Sequence, residues 1–298
     1  MKIDLTKLKR EKSIQELLEF SIINIDKPVE HTSFDVDSRV KGMLRLRKTS
    51  HFGTLDPMVT GVLPVALNRA CKLLDYFMHR DKVYVGEMHI HKSVNKKDLE
   101  KEMKKFIGII EQMPPIKSSV KRALRKRRVN DFKILKFDEE KRNVEFIADV
   151  EAGTYIRKLC SDLGDKLGCG AHMTKLRRTR AGLFDDKNLI TIEKVFEVVE
   201  KYKQGDETGL RKILIPAEII TELYPVVQVK EELVKNLLQG KAIHKGIVKE
   251  VDKMKLGEVF LVFYKERFIG VYDRVEKKCK TKDDIYGKAK FVMQEMKG

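Results

Sequence analysis

The sequence has no tryptophan, and aromatic residues make up only 7% of it. It also has no long apolar run. The longest stretches, Val62–Leu67 and Val259–Tyr264, fall far short of the ~20 residues a membrane-crossing helix needs. The opening residues, MKIDLTKLKREK, contain no apolar core of a secretory signal, so a secreted protein is not expected either. Cysteine is sparse: Cys71, Cys160, Cys169 and Cys279 form no C-x-x-C pair, and the seven histidines do not group with them. No structural zinc site is expected from that spacing. Isolated cysteines without a signal segment fit a reducing cytoplasm, where they act as small core hydrophobes.

What the chain has in abundance is charge. Its 298 residues include 62 Lys or Arg against 45 Asp or Glu, a formal net charge of +17. The excess is spread out, with +11 on residues 1–224 and +6 on residues 225–298. A basic field covering both halves points to a polyanionic partner, nucleic acid before all others, with general surface basicity as the competing explanation. The length suggests two domains. The polar stretch Lys203–Gly209 and the Tyr224-Pro225 step place a boundary near residue 224, giving domains 1–224 and 225–298.

Strands are expected at Ser21–Asp26, Lys82–His91, Val129–Phe137 and Val144–Glu151 from their alternation. Helices are expected after a basic arm at the N-terminus, after a Ser33 cap with Phe34, Val40 and Leu44, and over Ala70–Met78, Lys96–Ile107 and Thr154–Leu167. Strands and helices mix without a βαβ period, so the class is α+β. The last 74 residues read as short strands around one helix, Glu231–Leu238, which suits a small barrel-like module.

Four segments could carry chemistry. In His51-Phe52-Gly53-Thr54-Leu55-Asp56-Pro57 a lone carboxylate sits in a loop shaped by Gly and Pro, with Pro57 pushing Asp56 toward an extended backbone. From spacing alone, an Asx-type turn is the favoured reading of the same residues. In Glu151-Ala152-Gly153-Thr154-Tyr155-Ile156-Arg157 an arginine falls in the first turn of a helix, where the dipole disfavours it unless it has an anion to bind. A plain surface arginine is the alternative. The third segment, Gly170–Arg180, interleaves four bases with apolar residues. The fourth, Lys117–Arg128, carries seven bases and no acid in twelve residues, and reads as a basic loop able to clamp phosphates.

Taken in order, HFGTLDPMVTGVLPVAL, the Lys-Val-Tyr at 82–84, EAGTYIRKLCSDLG and GAHMTKLRRTRAGLF resemble the TruB-type RNA pseudouridine synthases. PPIKSSVKRALRKRRV, HRDKVYVG and the compact C-terminal part resemble its archaeal and eukaryotic dyskerin-type branch, the catalytic subunits of box H/ACA guide-RNA particles. GKAIHKGIV and LGEVFLVFYKERFIGVYD are similar to a PUA domain, an RNA-binding pseudobarrel. The resemblance implies a mixed-sheet catalytic domain followed by that pseudobarrel, and a reaction with no metal or organic cofactor. It implies that Asp56 is the catalytic aspartate, Tyr84 the tyrosine that stacks on a flipped base, and Arg157 the arginine that pairs with the aspartate. Tyr155 and Leu176 match further pocket residues, and His51 helps fill the space the uridine leaves.

For RNA binding it implies Lys117, Lys121, Arg122, Arg125, Lys126, Arg127 and Arg128 in a thumb-like element, with Lys241 and His244 in the C-terminal module. The implied partners are a box H/ACA guide RNA, an rRNA target or tRNA, and the accessory proteins of the particle, with no membrane. A catalytically inactive RNA-binding scaffold is the alternative.

Overall fold

A strand that alternates buried and open side chains along its whole length, Lys82–Ile90, stands at the centre of the larger of two units. The computed structural model describes residues 3–113, 123–277 and 284–293. One unit is Ile22–Ile213; the other joins Met1–Ser21 to Leu214–Gly298. Within the first unit the strands are β1 (Ser21–Lys27), β2 (Thr49–His51), β3 (Thr60–Leu67), β4 (Lys82–Ile90), β5 (Gly108–Gln112), β6 (Arg125–Asp138), β7 (Asn143–Val150), β8 (Ala171–Ala181) and β9 (Phe184–Asp185). Their order in the sheet is β1-β3-β8-β4-β7-β6-β5, with β2 beside β3 and β9 beside β8. The β3–β8 pair is parallel and the others are antiparallel, so the sheet is mixed. The α+β class read from the sequence holds.

Register gives this sheet its functional meaning. Lys27 pairs with Gly61, Gly61 with Arg178, Arg178 with Tyr84, and Tyr84 with Ala148. Residues paired directly across strands share a face, so Lys27, Arg178 and Tyr84 form one row. The odd-numbered residues of β4, including His89, point to the other face.

The helices fill in around the sheet. Ile156–Lys166 buries Ile156, Leu159, Cys160 and Leu163 and packs on β8. Some sequence expectations need correction. Ser33 does not cap its helix; Thr32 does, in a capping box with Asp35, and Phe34 is 72% exposed while Val36 and Val40 face inward. Ala70–Met78 divides into a 3₁₀ turn over Asn68–Leu73 and a short α-helix at Leu74–Met78. The basic stretch before Val129 is not all loop, because β6 begins at Arg125 and pairs with β5, a strand the sequence reading lacked. Ladder hydrogen bonds to β5 hold these arginines extended, although an all-basic run has no apolar alternation to announce a strand.

The second unit has strands β10 (Ile215–Pro216), β11 (Val226–Gln228), β12 (Ile243–His244), β13 (Val259–Tyr264), β14 (Arg267–Lys277) and β15 (Ile285–Val292). A curled half-barrel sheet in the order β11-β13-β14-β15-β12 closes over Val227, Leu237, Ile243, Phe260, Val262 and Ile269. The N-terminal residues belong here too. Phe20 stacks on Phe268 at 5.1 Å, and Lys12 pairs with the fully buried Glu218.

Candidate active site

The loop from Gly53 to Val59 is fastened from below, and its only acidic side chain is left at the surface. Leu55 is buried, its N–H donating to Ser33 Oγ at 2.9 Å. Lys27, with no solvent exposure, donates to three carbonyls, those of Pro28 (2.7 Å), His31 (2.6 Å) and Pro57 (2.9 Å). An ammonium has three hydrogens, so each finds an acceptor. Burial pushes the Lys27 pKa down, and the carboxylates of Asp56 and Asp35 pull against that shift. Arg178, 1% exposed, donates through Nε to the Val62 carbonyl (2.8 Å) and through Nη2 to that of Gly53 (2.9 Å). Gly61 makes this approach possible: its φ is +100°, and a Cβ there would lie 2.2 Å from the Arg178 carbonyl oxygen. Any larger residue would separate β3 from β8 just where the loop is anchored.

Asp56, the side chain this scaffold presents, is 57% exposed and meets Arg157, whose Nη2 donates to Oδ2 at 2.5 Å. Arg157 comes from the start of its helix, and that turn is itself held in place. Tyr155 caps the helix, its N–H donating to Gln112 Oε1 at 3.0 Å while Gln112 Nε2 donates to the Tyr155 carbonyl at 3.2 Å. Gln112 is buried at the end of β5. The adjoining Glu151 accepts from the Arg128 N–H at 2.9 Å, and the Arg127 guanidinium lies against Gly153. Sequence-distant Asp56, Tyr155, Arg157, Arg127 and Arg128 are thus joined through one turn.

Tyr84 lies beside Arg178 in the row described above and is 8% exposed; Leu176, 9% exposed, pairs with Gly86 on the same face. A third buried cation, Lys82, donates to the carbonyls of Met78 and Arg80. Burial, with the nearby Arg178 charge adding to it, pushes Lys82 down to about 8. His51 has its own partners: Nδ1 is 2.7 Å from Asp37 Oδ2, and Nε2 is 3.1 Å from Thr54 Oγ1.

Of the basic residues singled out in the sequence, Arg125 and Arg127 are half-buried on β6, and Lys126 and Arg128 are exposed there. Lys117, Lys121 and Arg122 lie outside the described residues. Lys241 and His244 belong to the other unit, where Lys241 Nζ donates to Asn236 Oδ1 and His244 lies on β12. Sequence reasoning missed Lys27, Lys82, Arg178 and Gln112, because long polar side chains read as surface. The available signal was Lys27-Pro28 closing a short strand that carries Ile22, Ile23 and Ile25.

Comparison with known proteins agrees with this architecture. Residues 41–156 match the model of the TruB family pseudouridylate synthase N-terminal domain, and residues 157–222 that of the tRNA pseudouridylate synthase B C-terminal domain. The probable tRNA pseudouridine synthase B of Sulfurisphaera tokodaii is 45% identical over 228 residues, 76% of this chain and 67% of that protein. That of Methanocaldococcus jannaschii is 39% identical over 254 residues, 85% of this chain and 75% of that one. Among solved structures, a chain of a Cbf5–Nop10–Gar1 complex superposes with a TM-score of 0.85 at 34% identity, covering 96% of this chain and 89% of that one. A chain of an H/ACA ribonucleoprotein bound to a substrate RNA containing 2′-deoxyuridine gives 0.83 at 32% identity, covering 96% and 89%. With matches of that extent, the chain belongs to the TruB family of pseudouridylate synthases, on its Cbf5-like side.

Proposed function

We propose that this pseudouridine synthase uses Asp56 as its catalytic carboxylate, Tyr84 as the ring that stacks on the extruded uracil, and Arg157 as the partner that holds the aspartate in place. The observation that carries this reading is the exposed Asp56–Arg157 pair on a loop anchored by the buried cations Lys27 and Arg178. A uridine inside a helix cannot be reached, so the base must leave its stack before the chemistry begins. The N1–C1′ bond then breaks, the uracil rotates, and a C5–C1′ bond forms. C5 loses a proton and N1 gains one, so product and substrate are isomers. A rigid loop supports this sequence because its carboxylate need not reorganise when the base arrives. Tyr155, Leu176 and His51 complete the proposed pocket.

For substrate choice, we favour a guide RNA that pairs with target rRNA inside an H/ACA-type particle in the cytoplasm, with proteins of the Nop10 and Gar1 kind as partners. The likeness to chains from such complexes supports this. Arg125, Lys126, Arg127 and Arg128, with Lys117, Lys121 and Arg122, are proposed to contact the substrate side. The module at 225–298, with Lys241 and His244, is proposed to grip the guide. The names of the curated relatives favour a second reading, direct action on tRNA.

One experiment separates them: pseudouridine formation on a target RNA and on unmodified tRNA, each with and without an H/ACA guide and accessory proteins. Guide-dependent product supports the particle. Product on tRNA alone supports the second reading. RNA binding without product in any arm leaves an inactive scaffold.

A further inference from the structure

Three histidines that have no part in the proposed reaction come together at the far end of β4 and β8. His89 and His91 are separated by one residue on β4 and the first position beyond it, so their side chains leave the same face. His172 on β8 is the direct cross-strand partner of His89. The ring centroids are 5.1 Å apart for His91 and His172, 5.7 Å for His89 and His172, and 6.2 Å for His89 and His91. His91 and His172 are exposed and His89 is half-buried. They lie on the face opposite Tyr84, so this group is separate from the Asp56 loop.

From these positions we infer that His89, His91 and His172 form a binding site for a divalent transition-metal ion of the kind that prefers imidazole, such as Zn²⁺. An H-x-H pair on one strand with a third histidine opposite it on the next supplies three nitrogen donors, and imidazole suits zinc, copper and nickel. With a metal–nitrogen distance of about 2.0–2.1 Å and tetrahedral angles, ring centroids would stand roughly 5.2 Å apart. One observed separation meets that value, and the other two exceed it by no more than about 1 Å, within the reach of side-chain rotation.

Two hydrogen bonds prepare the donors. His89 Nδ1 is 2.9 Å from Asn143 Oδ1, which can only accept, so Nδ1 carries the proton and Nε2 keeps its lone pair. His91 Nε2 and His172 Nδ1 face each other at 2.8 Å and share one hydrogen. As they stand, no three donors converge on a point among the described residues. When the shared hydrogen moves to the other nitrogen of its ring, both facing lone pairs are released. The two nitrogens then need to part by only about 0.5 Å to hold a metal between them.

The backbone behind the site is fixed. The His91 N–H donates to the Gly170 carbonyl at 3.0 Å, and Arg142 Nη1 donates to the His91 carbonyl at 2.5 Å. Gly170 has φ +67°, and a Cβ there would fall 2.8 Å from His91 Nδ1, so glycine keeps the ring's position open. The charged neighbours are mixed, with Arg142 behind His91 and Glu87 two residues up the same face of β4. Solvent screens both at so exposed a site.

The test uses the full-length chain, stripped of metal with a chelator and then titrated with Zn²⁺ by calorimetry, with visible absorption of added Co²⁺ as a second readout. The wild type should bind one ion per chain and show the spectrum of low-coordinate Co²⁺. His91→Ala and His172→Ala should each weaken binding at least tenfold and abolish that spectrum. Asn143→Leu, which touches no metal, should weaken it less. Both histidines are exposed, so these variants should fold, and equal melting temperatures without metal would check that. Absence of stoichiometric binding, or binding that none of the three substitutions changes, would overturn the proposal.

Discussion

Asp26 and Asp56 each meet an arginine, but one pair is closed and the other open. Asp26 on β1 takes both arms of Arg177, at 2.9 Å each, and its side chain is 28% exposed. Asp56 takes one contact from Arg157, and its side chain is 57% exposed. A bidentate fork fixes a carboxylate and occupies both oxygens. A single contact at the surface orients a carboxylate and leaves room for a substrate. Here the rigidity that a working site needs comes from elsewhere: Lys27 and Arg178 bind the loop's backbone carbonyls and leave the aspartate's oxygens alone.

The contrast can be broken most sharply at Asp56. Asp56→Asn should take turnover below detection, a loss of more than roughly 10³-fold, the scale on which removing one essential reacting group acts. Melting temperature should barely change, because an exposed ion pair contributes about 0–1 kcal/mol. Rapid-quench assays beside thermal unfolding would check both.

Arg178→Met comes next. It strips the donors from the Val62 and Gly53 carbonyls, and we expect a loss of about 3 kcal/mol in urea unfolding, with turnover falling as well. A variant as stable as wild type would mean the loop does not depend on this anchor.

Lys126→Glu with Arg128→Glu asks whether the charges beside the Arg157 turn serve RNA or the fold. RNA affinity should drop about tenfold near 0.1 M salt and its salt slope should flatten by about one to two units, with stability almost unchanged. Filter binding across a salt series would read this.

The smallest effect is a slope. Burial holds Lys82 at about 8, below the 10.5 of an ordinary lysine. Between those values the unfolded chain binds the extra proton, so Lys82 makes stability rise with pH, by less than about 1.4 kcal/mol per pH unit. Below pH 8 both states are protonated and its contribution is flat. Lys82→Met should remove that part of the rise in denaturant titrations from pH 7 to 10.

What the sequence discloses about this molecule follows from the range of the interactions. The Asp56 loop is legible because Gly53, Pro57, Gly61 and Pro64 punctuate it locally, and the Ile156–Lys166 helix because its apolar spacing is regular. The anchors are not. Lys27 and Arg178 are buried by strand register across 151 positions; the Lys27-Pro28 step marks where a strand ends but not that its lysine turns inward, and nothing near Arg178 announces its burial. Arg125–Arg128 form a strand only because β5 is there to pair with, which a run of bases cannot signal. Thr32 takes the cap in place of Ser33 because the Asp35 carboxylate closes a box with it, which leaves the Ser33 hydroxyl to hold Leu55. The histidine trio is likewise invisible, since His172 is 81 residues from His91 and reaches it only through the β4–β8 register.

The most direct measurement of the central claim compares single-turnover pseudouridine formation by Asp56→Asn and by Asp26→Asn, with RNA affinity determined for each. If the open pair is the reacting one, Asp56→Asn should bind RNA as wild type does and form no product. Asp26→Asn should lose about 1 kcal/mol of stability and keep turnover within about threefold. Product from Asp56→Asn, or loss of product from Asp26→Asn with its fold intact, would contradict the account.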